Sequence, residues 1–278
     1  MTRTLLIDAD IVAFRASAAL QRDYDWGDGV TSRVTDMSET MRAAEEYIES
    51  AMVACRGTDI IICLSDDVTN FRNSIYPPYK QHRKSSERPE LLYDIKDKLA
   101  ERWPSAVRPR MEADDVMGIL ATEPHKGTRI IVSEDKDMKT IPGWLFNPRT
   151  DKRPRKVSTD EAQKFLMWQA LTGDPTDGYP GCPGCGKKQA DKLIYENHEW
   201  FRSERELMRG KNKGQIKVEW SLEDALHEWN IWSAVLSAYF RAGLTEKDAI
   251  IQVSMARILK HQDMDGSRIK PWVPDMLN

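Results

Sequence analysis

Three short apolar runs, each closed by aspartate, constrain this chain more than any other feature. Leu5, Leu6 and Ile7 run into Asp8, and Asp59 to Leu64 (DIIICL) run into Ser65, Asp66 and Asp67. Thr128 to Val132 (TRIIV) run into Ser133, Glu134 and Asp135, with Asp137 just beyond. Continuous apolar runs of this length are the pattern of strands buried on both faces, as in parallel sheets covered by helices. Such sheets bind ligands outside the carboxyl ends of their strands, which is where the aspartates fall. Capping of the next helix explains one strand ending in Asp, but it is a poor explanation for three. Met111 to Leu120 (MEADDVMGIL) adds Glu112, Asp114 and Asp115 at the start of an amphipathic helix, where the helix dipole favours carboxylates. If that helix start meets the strand ends, Glu112, Asp114, Asp115, Glu134, Asp135 and Asp137 share one crevice, and their repulsion requires cations. A magnesium-type site is expected.

The rest of the chain fits around this core. Residues 11–20 read as the first helix, 23–36 as a Gly- and Asp-rich loop, and 37–56 as a polar helix with Met41, Ala44, Ile48, Ala51 and Met52 as its buried stripe. Phe71 to Lys84 (FRNSIYPPYKQHRK) interleaves aromatic and basic residues around two prolines, as surfaces that stack bases and hold phosphates do. A helix over 90–103 and a hairpin from 144–147 and 155–158 with a basic tip complete a first domain, 1–158. A second domain, 159–278, begins with a helix to Leu171. It continues with TGDPTDGYPGCPGCGKKQADKL (172–193), whose glycines and prolines exclude a long helix or central strand. Backbone N–H groups there, followed by Lys187 and Lys188, would clamp a nucleic-acid backbone without reading bases. The remainder reads as helical, with Trp200 and Phe201 in one helix and Leu226, Trp229 and Trp232 in the core of another over 222–240. Thr245 and Asp248 fit a capping box.

Composition narrows the class. No apolar run approaches the roughly 20 residues of a membrane-spanning helix, and Asp8 and Asp10 interrupt the first apolar stretch too early for a signal peptide. A cytoplasmic protein without a membrane partner is expected. The formal charge of −3 argues against a polyanionic ligand only superficially, because with the nine acids assigned below set aside it becomes +6. Basic residues cluster at 72–84, 149–156 and 209–217. Cys55, Cys63, Cys182 and Cys185 do not form a secreted disulfide framework, and the Cys182/Cys185 pair lacks the second half of a zinc site.

With these residues in view, the chain resembles the flap endonuclease and 5′ to 3′ exonuclease superfamily, especially the compact exonucleases of tailed bacteriophages. LLIDAD with Arg15, FRNSIYPPYKQHR, EADD, SEDKD and GDPTDGYPGCPGCGKKQA match its motifs in order over residues 4–193. The resemblance implies an α/β fold: a Rossmann-like, PIN/FEN-type parallel-sheet catalytic domain followed by an α-helical, helix-three-turn-helix DNA-binding module. It implies two divalent ions, Mg2+ or Mn2+, held by Asp8, Asp66, Glu112, Asp114, Asp115, Asp135, Asp137, Asp174 and Asp177, with Asp67 an alternative to Asp66. Lys80 and Arg83 would act on the scissile phosphate beside Asp8 and Asp135. Arg72, Tyr79, Lys84, Gly181, Gly184, Gly186, Lys187 and Lys188 would contact DNA, and a K+ ion would sit on the loop carbonyls. The implied partner of the monomer is duplex DNA with 5′ ends, nicks, gaps or flaps, and RNA–DNA hybrids are a further substrate class that backbone-directed chemistry permits. The segment from Lys80 to Glu112 is shorter than the helical arch of many relatives, which favours end-directed digestion over flap threading. Residues 182 and 185, small in the family, are here both cysteine, and the chain beyond residue 219 resembles the phage enzymes only loosely.

Three other readings compete. A PIN-type ribonuclease uses a similar acidic site but lacks the 172–193 module. A catalytically silent nucleic-acid binder is disfavoured by intact acids at every matched position. A magnesium phosphotransferase lacks the GxxxxGK[ST] loop.

Overall fold

In the computed structural model, residues 2–27, 31–85, 87–225 and 229–277 are described. They fall in two compact units, the first within 1–74, 82–162 and 258–270, the second within 75–81, 163–257 and 271–278.

The first unit carries, in chain order, β1 (Arg3–Asp8), α1 (Ala9–Leu20), β2 (Arg22–Asp25), β3 (Thr31–Val34), α2 (Met37–Cys55) and β4 (Asp59–Leu64). The short helix α3 (Arg72–Ile75) is followed by α4 (Leu92–Arg102), β5 (Ser105–Val107), α5 (Ala113–Thr122), β6 (Thr128–Val132), β7 (Gly143–Phe146) and β8 (Arg155–Val157). The six-stranded sheet has the order β5-β4-β1-β6-β7-β8, parallel except for the edge strand β8. From β1 the chain steps outward through β4 to β5, then returns to the other side of β1 as β6. The topological switch point therefore lies between β1 and β6, and a sheet of this kind binds ligands there.

Alternation along the strands builds a core on each face. Leu5, Ile7, Ile62 and Ile130 point to one side, against Val12, Ile48 and Ile95 of α1, α2 and α4. Leu6, Cys63 and Ile131 point to the other, against Val116, Met117 and Ile119 of α5 and against Ile258 and Leu259. Gly118 makes the second layer possible, because a Cβ there would collide with the Leu259 carbonyl. α2 is capped by Asp36, whose carboxylate accepts from Glu39 N at 2.7 Å.

The second unit holds most of α6 (Thr159–Thr172), then α7 (Lys187–Tyr195), β9 (His198–Glu206), β10 (Ile216–Asp224), α8 (Ile231–Arg241) and α9 (Glu246–Ala256). Its core gathers Leu166, Met167, Leu171, Tyr179, Leu193, Tyr239 and Val253, and Tyr239 Oη donates to the Ala170 carbonyl at 2.7 Å. Thr245 and Asp248 form the expected capping box on α9.

Several expectations are corrected. The stretch expected as a loop over 23–36 carries the β2–β3 hairpin, while residues 28–30 lie outside the described residues. The helix expected to hold Trp200 and Phe201 is instead the strand β9, paired antiparallel with β10 from Trp200↔Leu222 to Glu206↔Ile216. The helix expected over 222–240 starts only at Ile231, where Asn230 caps it, and Leu226 lies outside the described residues. Cys182 and Cys185 are buried, free thiols, pushed up by burial to about 12 and about 11. Among the described residues no helix is long and apolar enough to cross a membrane.

Candidate active site

The switch point is occupied by Asp8. It ends β1, caps α1 by accepting from Ile11 N at 3.2 Å, and is 3% exposed. Ser133, the residue after β6, donates its hydroxyl to Asp8 Oδ2 at 2.7 Å and accepts from Asp135 N at 3.0 Å. Asp135 in turn accepts from Asp137 N at 2.8 Å, which fixes the turn carrying both acids. One buried hydroxyl thus links the ends of the two central strands. Ser133 did not stand out in the sequence, where it is simply the serine of SEDKD.

Burial and the charges of Asp10 and Asp135 push the Asp8 carboxyl up to about 7, against the Ser133 and Ile11 hydrogen bonds that favour its anion. Asp10 is a second contributor that the sequence reading left unassigned. Its carboxylate lies 3.0 Å from Lys96 Nζ, and Lys96 also donates to Asp67 Oδ2 at 2.6 Å. Lys96, buried on α4, opposes its own desolvation with these two acids, and its ammonium is held above the usual lysine range. Asp66, the acid expected at this strand end, instead organises a turn, accepting from Val68 N, Thr69 Oγ1 and Arg110 N at 3.0, 3.1 and 2.6 Å. These bonds hold its carboxyl below the usual range.

The α5 acids divide by role. Glu112 is the N-cap, forming a capping box with Asp115. Asp115 is fully buried and takes two hydrogen bonds from the Arg72 guanidinium (2.7 and 2.8 Å), one from Glu112 N (3.2 Å) and one from Leu259 N (3.0 Å). Arg72 also reaches Glu112 Oε2 at 3.2 Å. The expectation of Arg72 on DNA is therefore corrected: the residue is 2% exposed and its guanidinium is bound to these acids. Asp114 is half-buried and acts electrostatically on Cys63 of β4. Glu134 pairs with Arg15 of α1. Asp137 lies 3.7 Å from Lys136 Nζ.

In the second unit, Tyr79 is 3% exposed and donates its hydroxyl to Asp177 Oδ2 at 3.1 Å, so it is a core residue rather than a stacking platform. Lys80 adopts a positive φ of 53°, donates its backbone N–H to the Asp177 carbonyl at 2.9 Å, and brings Nζ to 3.6 Å from Asp177 Oδ1. Asp174 accepts from Thr176 N at 2.8 Å. Gly181, at φ +70°, packs its backbone against Gly173 and Leu171 where a Cβ would not fit, and donates to Gln252 Oε1 at 2.8 Å. Gly186 caps α7, and Lys187 and Lys188 are exposed in its first turn beside exposed Gly184. Arg83 is exposed in the first unit, while the Lys84 side chain lies outside the described residues.

The donor chemistry fits a hard divalent cation. Every candidate oxygen is a carboxylate, and the elevated Asp8 pKa is a cost that a cation removes. Among the described residues, however, no three acidic, His or Cys groups converge closely enough to hold an ion as they stand.

Residues 3–143 match the family model of the 5′-3′ exonuclease N-terminal, resolvase-like domain. The chain is 32% identical to the exonuclease of Escherichia phage T7, covering 97% of this chain and 93% of that protein. It is 31% identical to the flap endonuclease Xni of Shewanella woodyi, covering 70% and 77%. Among solved structures, the bacteriophage T5 flap endonuclease in complex with DNA and metal ions matches with a TM-score of 0.53 and 19% identity, covering 70% of this chain and 75% of that one. A parallel sheet with its acids at the switch point, together with sequence identity along nearly the whole chain, establishes that this protein belongs to the 5′-3′ exonuclease family.

Proposed function

We propose that this nuclease hydrolyses phosphodiester bonds at the 5′ ends of duplex DNA, with two divalent ions, magnesium or manganese, held at the carboxyl edge of its parallel sheet. The carrying observation is the buried Asp8–Ser133–Asp135 linkage at the switch point, where burial and the charges of Asp10 and Asp135 raise the Asp8 pKa. Asp8 and Asp135 are the primary ion-holding candidates, with Glu112, Asp114 and Asp137 as further oxygen donors. The ions, when bound, supply Lewis-acid charge to the phosphate and lower the pKa of water, so no side-chain base is required.

The chain's own residues prepare that site. Ser133 fixes the separation of Asp8 and Asp135, Ile11 N orients the Asp8 carboxylate, and Lys96 balances Asp10 and Asp67 so that the local negative charge does not spread the strand ends. Asp115 and Arg72 support the site through structure: they lock the start of α5, from which Glu112 and Asp114 project. Lys187 and Lys188 at the start of α7, with Lys80 and Arg83, supply cations for the DNA backbone, and the 172–193 loop is the seat for K+. RNA–DNA hybrids and a monomeric state complete the proposal.

The test is digestion of duplex DNA labelled at its 5′ end, with magnesium and separately with excess chelator, followed by sizing of the products. Early, magnesium-dependent release of labelled mono- or short oligonucleotides supports 5′ exonuclease action. Internal cuts assign it to the endonuclease class of its Xni relatives, and tight binding without cleavage removes the catalytic reading.

A further inference from the structure

At the opposite end of the sheet, a cavity of about 590 Å³ opens among the amino-terminal ends of β1, β6 and β7, the end of α2 and the β7–β8 turn. Its volume lies in the range of small-ligand sites. Its wall is cationic: Arg3, Arg56, Lys152 and Arg153 line it, together with the half-exposed ring of Trp144. Among the described residues, none of these four cations has a carboxylate within ion-pair distance. Local structure explains two of them in part. Arg56 ends α2, where the helix dipole favours a cation, and Arg3 donates to the Cys55 carbonyl at 3.0 Å. Nothing local explains Lys152 and Arg153, exposed on the turn, or an indole turned toward solvent beside them.

We infer that this cavity is a nucleotide-binding site separate from the cleavage site, with Trp144 stacking on a base and Lys152, Arg153, Arg56 and Arg3 holding its phosphate. The chemistry follows from the wall: an aromatic face accepts any base, and clustered guanidinium and ammonium groups select phosphate. The five residue steps of β1 from Arg3 to Asp8 span about 17 Å, too far for one nucleotide to reach both ends. The inference is independent of the cleavage chemistry. The ligand is either a free nucleoside monophosphate or one nucleotide of a single strand, which present the same groups.

The test follows the Trp144 indole N–H by NMR in the full-length protein with chelator present, the signal being identified by its loss in Trp144→Phe. The probes are dAMP, a short oligothymidylate and inorganic pyrophosphate. Movement of the Trp144 signal with dAMP supports a free-nucleotide site, and movement with the oligothymidylate alone supports a strand-segment site. In Lys152→Glu/Arg153→Glu, whose changes are exposed and leave the core untouched, binding by the same signal is expected to weaken roughly tenfold or more. A Trp144 signal that moves with neither dAMP nor the oligothymidylate, or that moves unchanged in the double variant, overturns the inference. Equal movement with pyrophosphate overturns the assignment of a base to the indole.

Discussion

Replacing Asp8 by Asn isolates the electrostatic strain of the active site. The variant is nearly isosteric: its amide oxygen still accepts from Ile11 N, and its amide nitrogen can donate to the Ser133 hydroxyl, which rotates to accept. What disappears is the buried charge. In the folded chain the Asp8 carboxyl is raised from 3.8 to about 7, so the fold favours its protonated form. Between these values the unfolded chain binds fewer protons than the folded one, and stability therefore falls as pH rises. The penalty is absent below about pH 4 and complete above about pH 7, where the interval corresponds to roughly 4 kcal/mol at about 1.4 kcal/mol per pH unit. Urea unfolding followed by tryptophan fluorescence, with chelator present, gives the comparison. Wild type is expected to lose stability relative to Asp8→Asn by up to about 4 kcal/mol between pH 4 and pH 8. Because any packing cost of the Asn is independent of pH, the difference in slope is the readout. Magnesium in place of chelator should recover the loss in wild type at pH 8 and leave the variant nearly unchanged. Parallel pH profiles for the two proteins would refute the reasoning.

Asp135→Asn should leave folding largely intact and greatly lower turnover, and wild-type turnover at saturating magnesium would remove Asp135 from the site. Arg72→Met leaves the fully buried Asp115 without its ion-pair partner and should cost about 3–5 kcal/mol in urea unfolding. An unchanged midpoint with weaker DNA binding would return Arg72 to the surface role the sequence suggested. Ser133→Ala removes the hydroxyl shared by Asp8 and Asp135 N, for an expected cost of about 1–3 kcal/mol together with reduced turnover. A stable but equally active variant would show that the strand ends hold their spacing without it. Gly181→Ala forces a side chain into a left-handed position with no room for it, and a thermal midpoint equal to wild type would contradict the described loop packing.

The sheet was legible because its strands need no help from distant partners: Ile60 to Leu64 and Ile130 to Val132 are apolar on both faces and end where a carboxylate can meet solvent. The acids at those ends were legible for the same reason. Arg72 and Tyr79 were misread because an aromatic and basic stretch looks alike whether it faces a nucleic acid or a buried carboxylate, and the partner Asp115 stands 43 residues along the chain from Arg72. Ser133 and Lys96 carried no signal beyond residue type, since their roles come from the sheet order and from α4 packing. The β9 stretch was read as helix because HEWFRSERE is rich in Glu and Arg, good helix formers. Cross-strand pairs such as Arg205 with Glu219 support the extended form instead.

The Leu259 N–H that completes the shell of Asp115 belongs to a segment made only after residues 163–257 of the second unit have been synthesised. The same segment supplies Ile258 and Leu259 to one face of the sheet and accommodates the bare flank of Gly118. Until it arrives, a chain emerging from the ribosome lacks Ile258 and Leu259 on the α5 face of the sheet and has an α5 whose first turn lacks one of its anchors. Maturation of the cleavage centre is thereby timed by the far end of the polypeptide: the part of the molecule bearing the acids cannot finish assembling before residues 163–257 have been translated. Proteolytic separation at the boundary near residue 162 would accordingly release a fragment with every acid of the sheet edge but without the strap that closes it.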